Sequence, residues 1–332
     1  MTCTKKLITN LIGISVFIII GLTNTSFAQN SSIVFPDKPI RFIVPFPPGG
    51  PADIQSRIIG QKMSLRWKQP VVIENRPGAG GGIAAEMVAK APPDGYTLMY
   101  TTSGVVTVNP IISPVKYDVM KDFAPVILTS TLSSVLVVNP SLKIKTLKEL
   151  INLAKENPSK VNYASSGNGS TSHLAMEQFN RMAGTNIQRI PYKGAAPAIN
   201  DLLGGNVQVM LMGLTTVLPF MNSGKLIPIG VSSMEPSPLA PLVPTITSSG
   251  LVGFEASNWL GVFAPALTPD SIVSKINIEI NEIMQLPDVK ERLFKEGFEP
   301  VTIKTSVKFR EFLQNEISKW TKIVKETNIS AD

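Results

Sequence analysis

Short apolar runs alternate along this chain with segments in which apolar residues recur every three or four positions. Runs of the first kind cover 40–45, 71–74, 97–101, 136–138, 161–165, 188–191, 207–212, 227–232 and 261–264, and their length and β-branched or aromatic content predict strands. Helical spacing appears at Ile59, Met63 and Trp67, at Ala175, Phe179, Met182 and Ala183, at Ile272, Ile276, Ile280 and Ile283, and at Phe309, Leu313, Ile317, Trp320 and Val324. These stripes read as core-packing faces rather than cofactor sites. Strands alternating with helices predict an α/β fold with mostly parallel pairing. Nothing longer than the proline-rich stretch 236–244 divides the chain. Two lobes whose chain crosses between them more than once fit the pattern, and so does one large doubly wound domain.

The N-terminus stands outside this pattern. Lys5 and Lys6 precede an apolar run from Leu11 to Leu22, and Ser26-Phe27-Ala28 places small residues at −3 and −1 before Gln29. This predicts a secretory signal peptide, residues 1–28, cleaved after Ala28. The apolar run is short for a membrane span of ~20 residues. The single cysteine, Cys3, lies in the leader, so the mature chain has none, which fits a bacterial periplasm. About 300 mature residues suggest two domains and bury ample core without disulfides. Loss of Lys5 and Lys6 lowers the net charge from +7 to +5. No basic cluster is interleaved with aromatics, which argues against nucleic acid as a partner. A mild positive field favours anionic ligands.

Candidate chemistry concentrates at two strand–helix joints. "RFIVPFPPGGPAD", from Arg41 to Asp53, ends a strand in Pro-Pro-Gly-Gly-Pro. "VNYASSGNGSTSHLAMEQF", from Val161, repeats the plan with different residues. In parallel α/β sheets, ligands bind where carboxyl ends of strands meet helix N-termini. The first helical turn leaves N–H groups unpaired, glycine allows close approach, and the site favours anions. Pro47, Pro48 and Pro51 stiffen the first loop, and Asp53 is placed to cap its helix. Ser170, Thr171 and Ser172 add hydroxyls to the second. Neither loop contains lysine or arginine. Micromolar affinity needs about 8 kcal/mol, and hydrogen bonds to a charged group contribute roughly 1.5–3 kcal/mol each. Four such partners on a carboxylate therefore suffice without a cationic side chain. A third segment, "YKGAAPAINDLLGG" from Tyr192, has the same plan, with Asn200 and Asp201 equally readable as a solvated helix face.

Other chemistries fare worse. "ENRPGAGGG", from Glu74, lacks the Lys-Ser or Lys-Thr of a phosphate loop and the spacing of a dinucleotide fingerprint, so it reads as a tight turn into a helix over 83–90. The only histidine, His173, lies three residues after Ser170, close enough to share a helical turn. A Ser-His hydrolase also needs an orienting acid and an oxyanion hole, and "GNGST" is not a nucleophile elbow. One histidine and no mature cysteine argue against zinc. No cofactor and no metal are expected.

In order, "VPFPPGGPAD", "VVIENRPGAGGG", "PDGYTLMY", "YDVMKDFAPV", "YASSGNGSTSHLAME", "PYKGAAPAINDLLGG", "VPTI" and "NWLGVFAPALTP" resemble the substrate-binding proteins of tripartite tricarboxylate transporters, the Bordetella uptake gene (Bug) family. The likeness covers about 36–324. It implies a type II periplasmic binding-protein fold: two α/β lobes, residues 32–135 with 230–332 and residues 136–229, and a ligand cleft between them. It also implies a ligand carboxylate held between two loops. By motif position these are Phe46, Pro48, Gly49, Gly50, Pro51, Ala52 and Asp53, and Ser165, Ser166, Gly167, Asn168, Gly169, Ser170, Thr171 and His173. Lys193, Gly194, Ala195, Asp201 and Gly213 would line the rest. Trp259 matches the family's aromatic before "GVFAP", with core packing an equal reading. "APALTP", Arg189-Ile190 and "SMEPSPLAP" depart from the family pattern, so the cleft's distal wall transfers least. The implied function is a periplasmic receptor, not an enzyme, that delivers a di- or tricarboxylate, acidic amino acid or aromatic acid to large and small inner-membrane permease subunits. A receptor that presents its closed form to a membrane sensor protein, and a Ser170–His173 hydrolase, are the alternatives.

Overall fold

The computed structural model describes residues 35–167, 170–299, 301 and 303–327. The predicted leader, Asn168 and Gly169 lie outside the described residues. Among the described residues, ten strands form two five-stranded sheets. The first has the order β2-β1-β3-β10-β4, from β1 (Ile40–Val44), β2 (Val71–Asn75), β3 (Thr97–Thr102), β4 (Phe123–Leu132) and β10 (Asn258–Pro265). The second has the order β7-β6-β8-β5-β9, from β5 (Ser134–Val138), β6 (Asn162–Ser165), β7 (Gln188–Pro191), β8 (Val209–Gly213) and β9 (Ile227–Val231). The helices used below are α1 (Pro51–Trp67), α2 (Gly82–Ala89), α3 (Ser103–Thr107), α4 (Thr171–Ala183), α5 (Ala195–Gly204), α6 (Asp270–Gln285) and α7 (Ser306–Thr327).

The expectation of mostly parallel pairing is corrected. β1 pairs in parallel with β2 and β3, and β6 with β7 and β8, but β10 and β5 are antiparallel to both neighbours. The reason lies in the crossings. β4 runs through Ser133 directly into β5 of the other sheet, and the chain returns from β9 to β10, so each sheet receives one strand entering from the opposite end. Buried Glu299 ties these two passages together, accepting from Ser133 Oγ at 2.7 Å and Ser237 Oγ at 2.6 Å.

Each sheet is covered on the faces that its sequence marks. In β5, Val135 and Val137 join a core with Ala198 and Leu202 of α5, while Leu136 and Val138 join Phe179 of α4 and Phe254. Strand alternation sends neighbours to opposite faces, so a run with both faces covered is apolar throughout. In the first sheet, Met99, Phe123 and Phe263 pack against Phe309 and Leu313 of α7. Trp259 is buried there, edge-on to Phe309 at 5.6 Å, with its indole N–H donating to Glu316 at 3.1 Å. It is a core residue.

The contact between β10 and α7 needs glycine at position 261. An added Cβ would stand 2.6 Å from Phe309 Cζ and 3.2 Å from the Ile127 carbonyl oxygen. Gly261→Ala is expected to destabilise the fold by about 1–3 kcal/mol through overpacking, read as a lower urea midpoint. An unchanged midpoint would show that Phe309 yields freely.

Candidate functional site

The carboxyl ends of β1, β3 and β4 and the amino end of β10 share one edge of the first sheet. The loop from β1 to α1 rises from this edge. It needs a left-handed residue, supplied by Gly49 at φ +88°, before Gly50 resumes extended geometry as the N-cap and Pro51 begins the helix. No side chain caps α1. The expected capping role of Asp53 is thus corrected. Its carboxylate turns back into the loop, accepting the Gly49 N–H at 3.0 Å, Asn75 Nδ2 at 2.9 Å, and Arg57 Nε and Nη2 at 2.9 and 2.8 Å. Asn75, at the end of β2, also donates to the Phe46 carbonyl at 3.0 Å. The loop is thereby held at both ends from below. The Gly49 N–H is engaged internally, so the glycine that can offer an amide hydrogen here is Gly50, together with the uncapped first turn of α1.

The loop from β6 to α4 is a hydroxyl cluster. Ser170 caps α4, accepting the His173 N–H at 3.3 Å and donating to the Gly167 carbonyl at 2.7 Å. Ser172 Oγ accepts the Ser166 N–H at 3.0 Å and lies 3.1 Å from Ser166 Oγ and 3.0 Å from Ser170 Oγ. Ser165 Oγ is buried without a partner among the described residues. The third segment is tied to this loop: Tyr192 and Gly194 donate backbone N–H groups to the Ser165 and Ser166 carbonyls at 2.9 and 3.1 Å.

The two loops face one cleft of about 1390 Å³. Phe46, Pro47, Pro48, Gly49, Gly50 and Pro51 line it on one side, and Ser170, Thr171 and Leu174 on the other. Of the remaining expected residues, Ala52, Asp53, Ser165, Ser166, Gly167, His173, Lys193, Gly194, Ala195, Asp201 and Gly213 do not line it. Asp201 accepts from the Tyr192 hydroxyl at 2.7 Å and Asn206 at 3.1 Å, and Gly213 starts a helix as its N-cap. The imidazole of His173 is buried against Arg189, whose Nη1 lies 2.9 Å from Nδ1. Nε2 lies 3.1 Å from the same Arg189 Nη1, while Ser170 Oγ caps α4 and donates to the Gly167 carbonyl. No group of three or more His, Cys, Asp or Glu is placed to hold a metal among the described residues.

Sequence reasoning did not assign much of the cleft wall. Ala79, Gly80 and Gly82 come from the "PGAGGG" turn and Ile83 follows it; Ser103, Val105, Asn109 and Lys116 are among those from the segment after β3, and Ser257, Asn258 and Trp320 also line the cleft. The turn was legible as a glycine cluster, but nothing in the periodicity marks the other segments. Glu86 and Lys116 are the charged side chains of the lining, of opposite sign, and Glu86 also pairs with Lys90 at 2.6 Å.

Burial by itself would push the Asp53 carboxyl up. Hydrogen bonds from Arg57, the Gly49 N–H and Asn75, with the charge of Arg57, outweigh it and hold the pKa down at about 2. A pKa depressed by folding contributes stability that is present above the ordinary carboxylate range and is lost as pH falls toward 2. Acid titration should therefore lower the melting temperature between about pH 4 and 2 more steeply in the native chain than in Asp53→Asn. Parallel titrations would show that the brace is not electrostatic.

Residues 55–329 match the family described as the tripartite tricarboxylate transporter family receptor. The chain is 39% identical over 302 residues to Protein BugT of Bordetella pertussis, covering 90% of this chain and 92% of that protein. Among solved structures, the R. palustris protein Rpa4515 with adipate superposes with a TM-score of 0.73 at 33% identity, covering 89% of this chain and 99% of the other. MatC (Rpa3494) from Rhodopseudomonas palustris with bound malate gives 0.69 at 33% identity, covering 87% and 100%. With its two mixed sheets and a cleft at the expected strand ends, this chain belongs to the tripartite tricarboxylate transporter receptor family of periplasmic solute-binding proteins.

Proposed function

We propose that the chain captures a small carboxylate between the β1–α1 and β6–α4 loops, closes on it, and delivers it to the large and small permease subunits of an inner-membrane transporter. The observation that carries this reading is the uncapped start of α1 facing the Ser170 and Thr171 hydroxyls across one cleft. A dipole end, backbone N–H groups and hydroxyls suit an anion, and the loops hold no cation that would require one of higher charge. The adipate of Rpa4515 and the malate of MatC support the class. The cleft exceeds the ~300–1,000 Å³ usual for a small-ligand pocket, which supports an open form that shuts by hinge motion. The lobes would be residues 32–135 with 230–332, and 136–229, bending where the chain passes between the sheets. Export would use the leader, cleaved after Ala28; the mass of the periplasmic protein should begin at Gln29.

Mature protein is expected to melt at higher temperature with at least one member of a panel of mono-, di- and tricarboxylates. No shift with any acid, alongside a shift with an uncharged solute, would remove the carboxylate reading. Position 50 tests the loop itself. It has ordinary φ, and an added Cβ would meet only the Pro47 carbonyl oxygen, at 3.8 Å. Gly50→Val should therefore cost only about 1 kcal/mol of ligand-free stability, as an unfavourable N-cap residue, and weaken binding at least about tenfold by calorimetry, a loss of about 1.4 kcal/mol.

A further inference from the structure

If the carboxylate is held as proposed above, a second polar group in the same cleft is left without a role. Asn258 opens β10, is half-buried and lines the cleft. Its Oδ1 accepts the Trp259 backbone N–H at 2.9 Å and Ser103 Oγ at 2.6 Å. A backbone N–H can only donate, so the amide orientation is fixed with oxygen toward the protein. Nδ2 then carries two hydrogens with no protein partner among the described residues. A donor held from behind by two hydrogen bonds needs no reordering when an acceptor arrives.

Its position separates it from the carboxylate loops. In the strand order, β10 is two places from β1, with β3 between them. Neighbouring strands are ~4.8 Å apart, so Asn258 stands roughly 10 Å along the edge from the β1 loop. Hydrogen bonds take up ~3 Å at each end, leaving ~4 Å between the two acceptors. That is more than the two oxygens of one carboxylate span, so a single carboxylate does not reach both places. Asn258 must meet a different atom of the ligand. Glu86 and Lys116 line the same cleft with opposite charges, and Ser103 positions the amide through its hydrogen bond to Oδ1.

We propose that Asn258 is a specificity-determining residue that donates from Nδ2 to a second oxygen acceptor on the ligand, and so selects acids bearing such a group over plain monocarboxylates.

The test uses matched acids: succinate with butyrate, glutarate with valerate, and adipate with hexanoate. Each is titrated into mature native protein, Asn258→Asp and Asn258→Ser, with ligand-free melting temperature as the check on folding. Asn258→Asp keeps an oxygen for Trp259 and Ser103 but loses both donors and adds a negative charge. Asn258→Ser is the neutral variant should the first not fold. In at least one pair the native protein should prefer the diacid. The variants should lose that diacid at least about tenfold while changing the monoacid by less than about threefold. Equal native affinity within every pair, or equal loss of both acids in the variants, overturns the role of Asn258 and leaves the carboxylate reading intact. No binding of any pair overturns this inference, while the wider acid panel above decides the carboxylate reading.

Discussion

A buried carboxylate keeps the first loop of the cleft from collapsing onto its own helix. An uncapped helix start in a glycine-rich turn has several cheap ways to satisfy its amides internally. Asp53 restricts them by drawing the Gly49 N–H downward, while Asn75 holds the Phe46 carbonyl and Arg57 neutralises the charge. The turn between these two anchors is then left with Gly50 and the first-turn amides on its outer side. One hydrogen-bond donor is given up inside the loop, and the shape of the rest is fixed by it.

The same economy appears where the sheets connect. Both passages between them converge on Glu299, which accepts one serine hydroxyl from each. The passages between the sheets are therefore tied at a common point by hydrogen bonds, in addition to the apolar packing of Val243, Ile246 and Phe254. Hydroxyl-to-carboxylate bonds can swing through modest angles without losing their partner, whereas an interdigitated core has discrete arrangements.

Much of this was readable from residue pattern. All four helical stripes lie on helices α1, α4, α6 and α7, and nine of the ten strands fall on runs marked by β-branched or aromatic residues. The exception, β4, is buried along nearly all its length, so it shows no alternation, and Pro125 argues against a strand. The fold accommodates that proline at a register shift opposite Phe263. The two glycine loops announced themselves through proline, glycine and serine. Asn75, Ser103 and Asn258 did not. Ser103 and Asn258 are 155 positions apart and meet only because β3 and β10 are neighbours. Local periodicity does not encode which strands become neighbours, so the parts of the site that depend on adjacency become visible only in three dimensions.

The place of β10 has a bearing on how the polypeptide reaches its native state. It lies inside the first sheet, between β3 and β4, although more than a hundred residues and the whole second sheet separate it from either in the chain. Until residue 265 has emerged, β3 and β4 have no common neighbour and the apolar face that α7 covers stands open. Contacts so distant along the polymer form slowly. The first sheet is thus closed only by the final quarter of the chain, so its core is completed last.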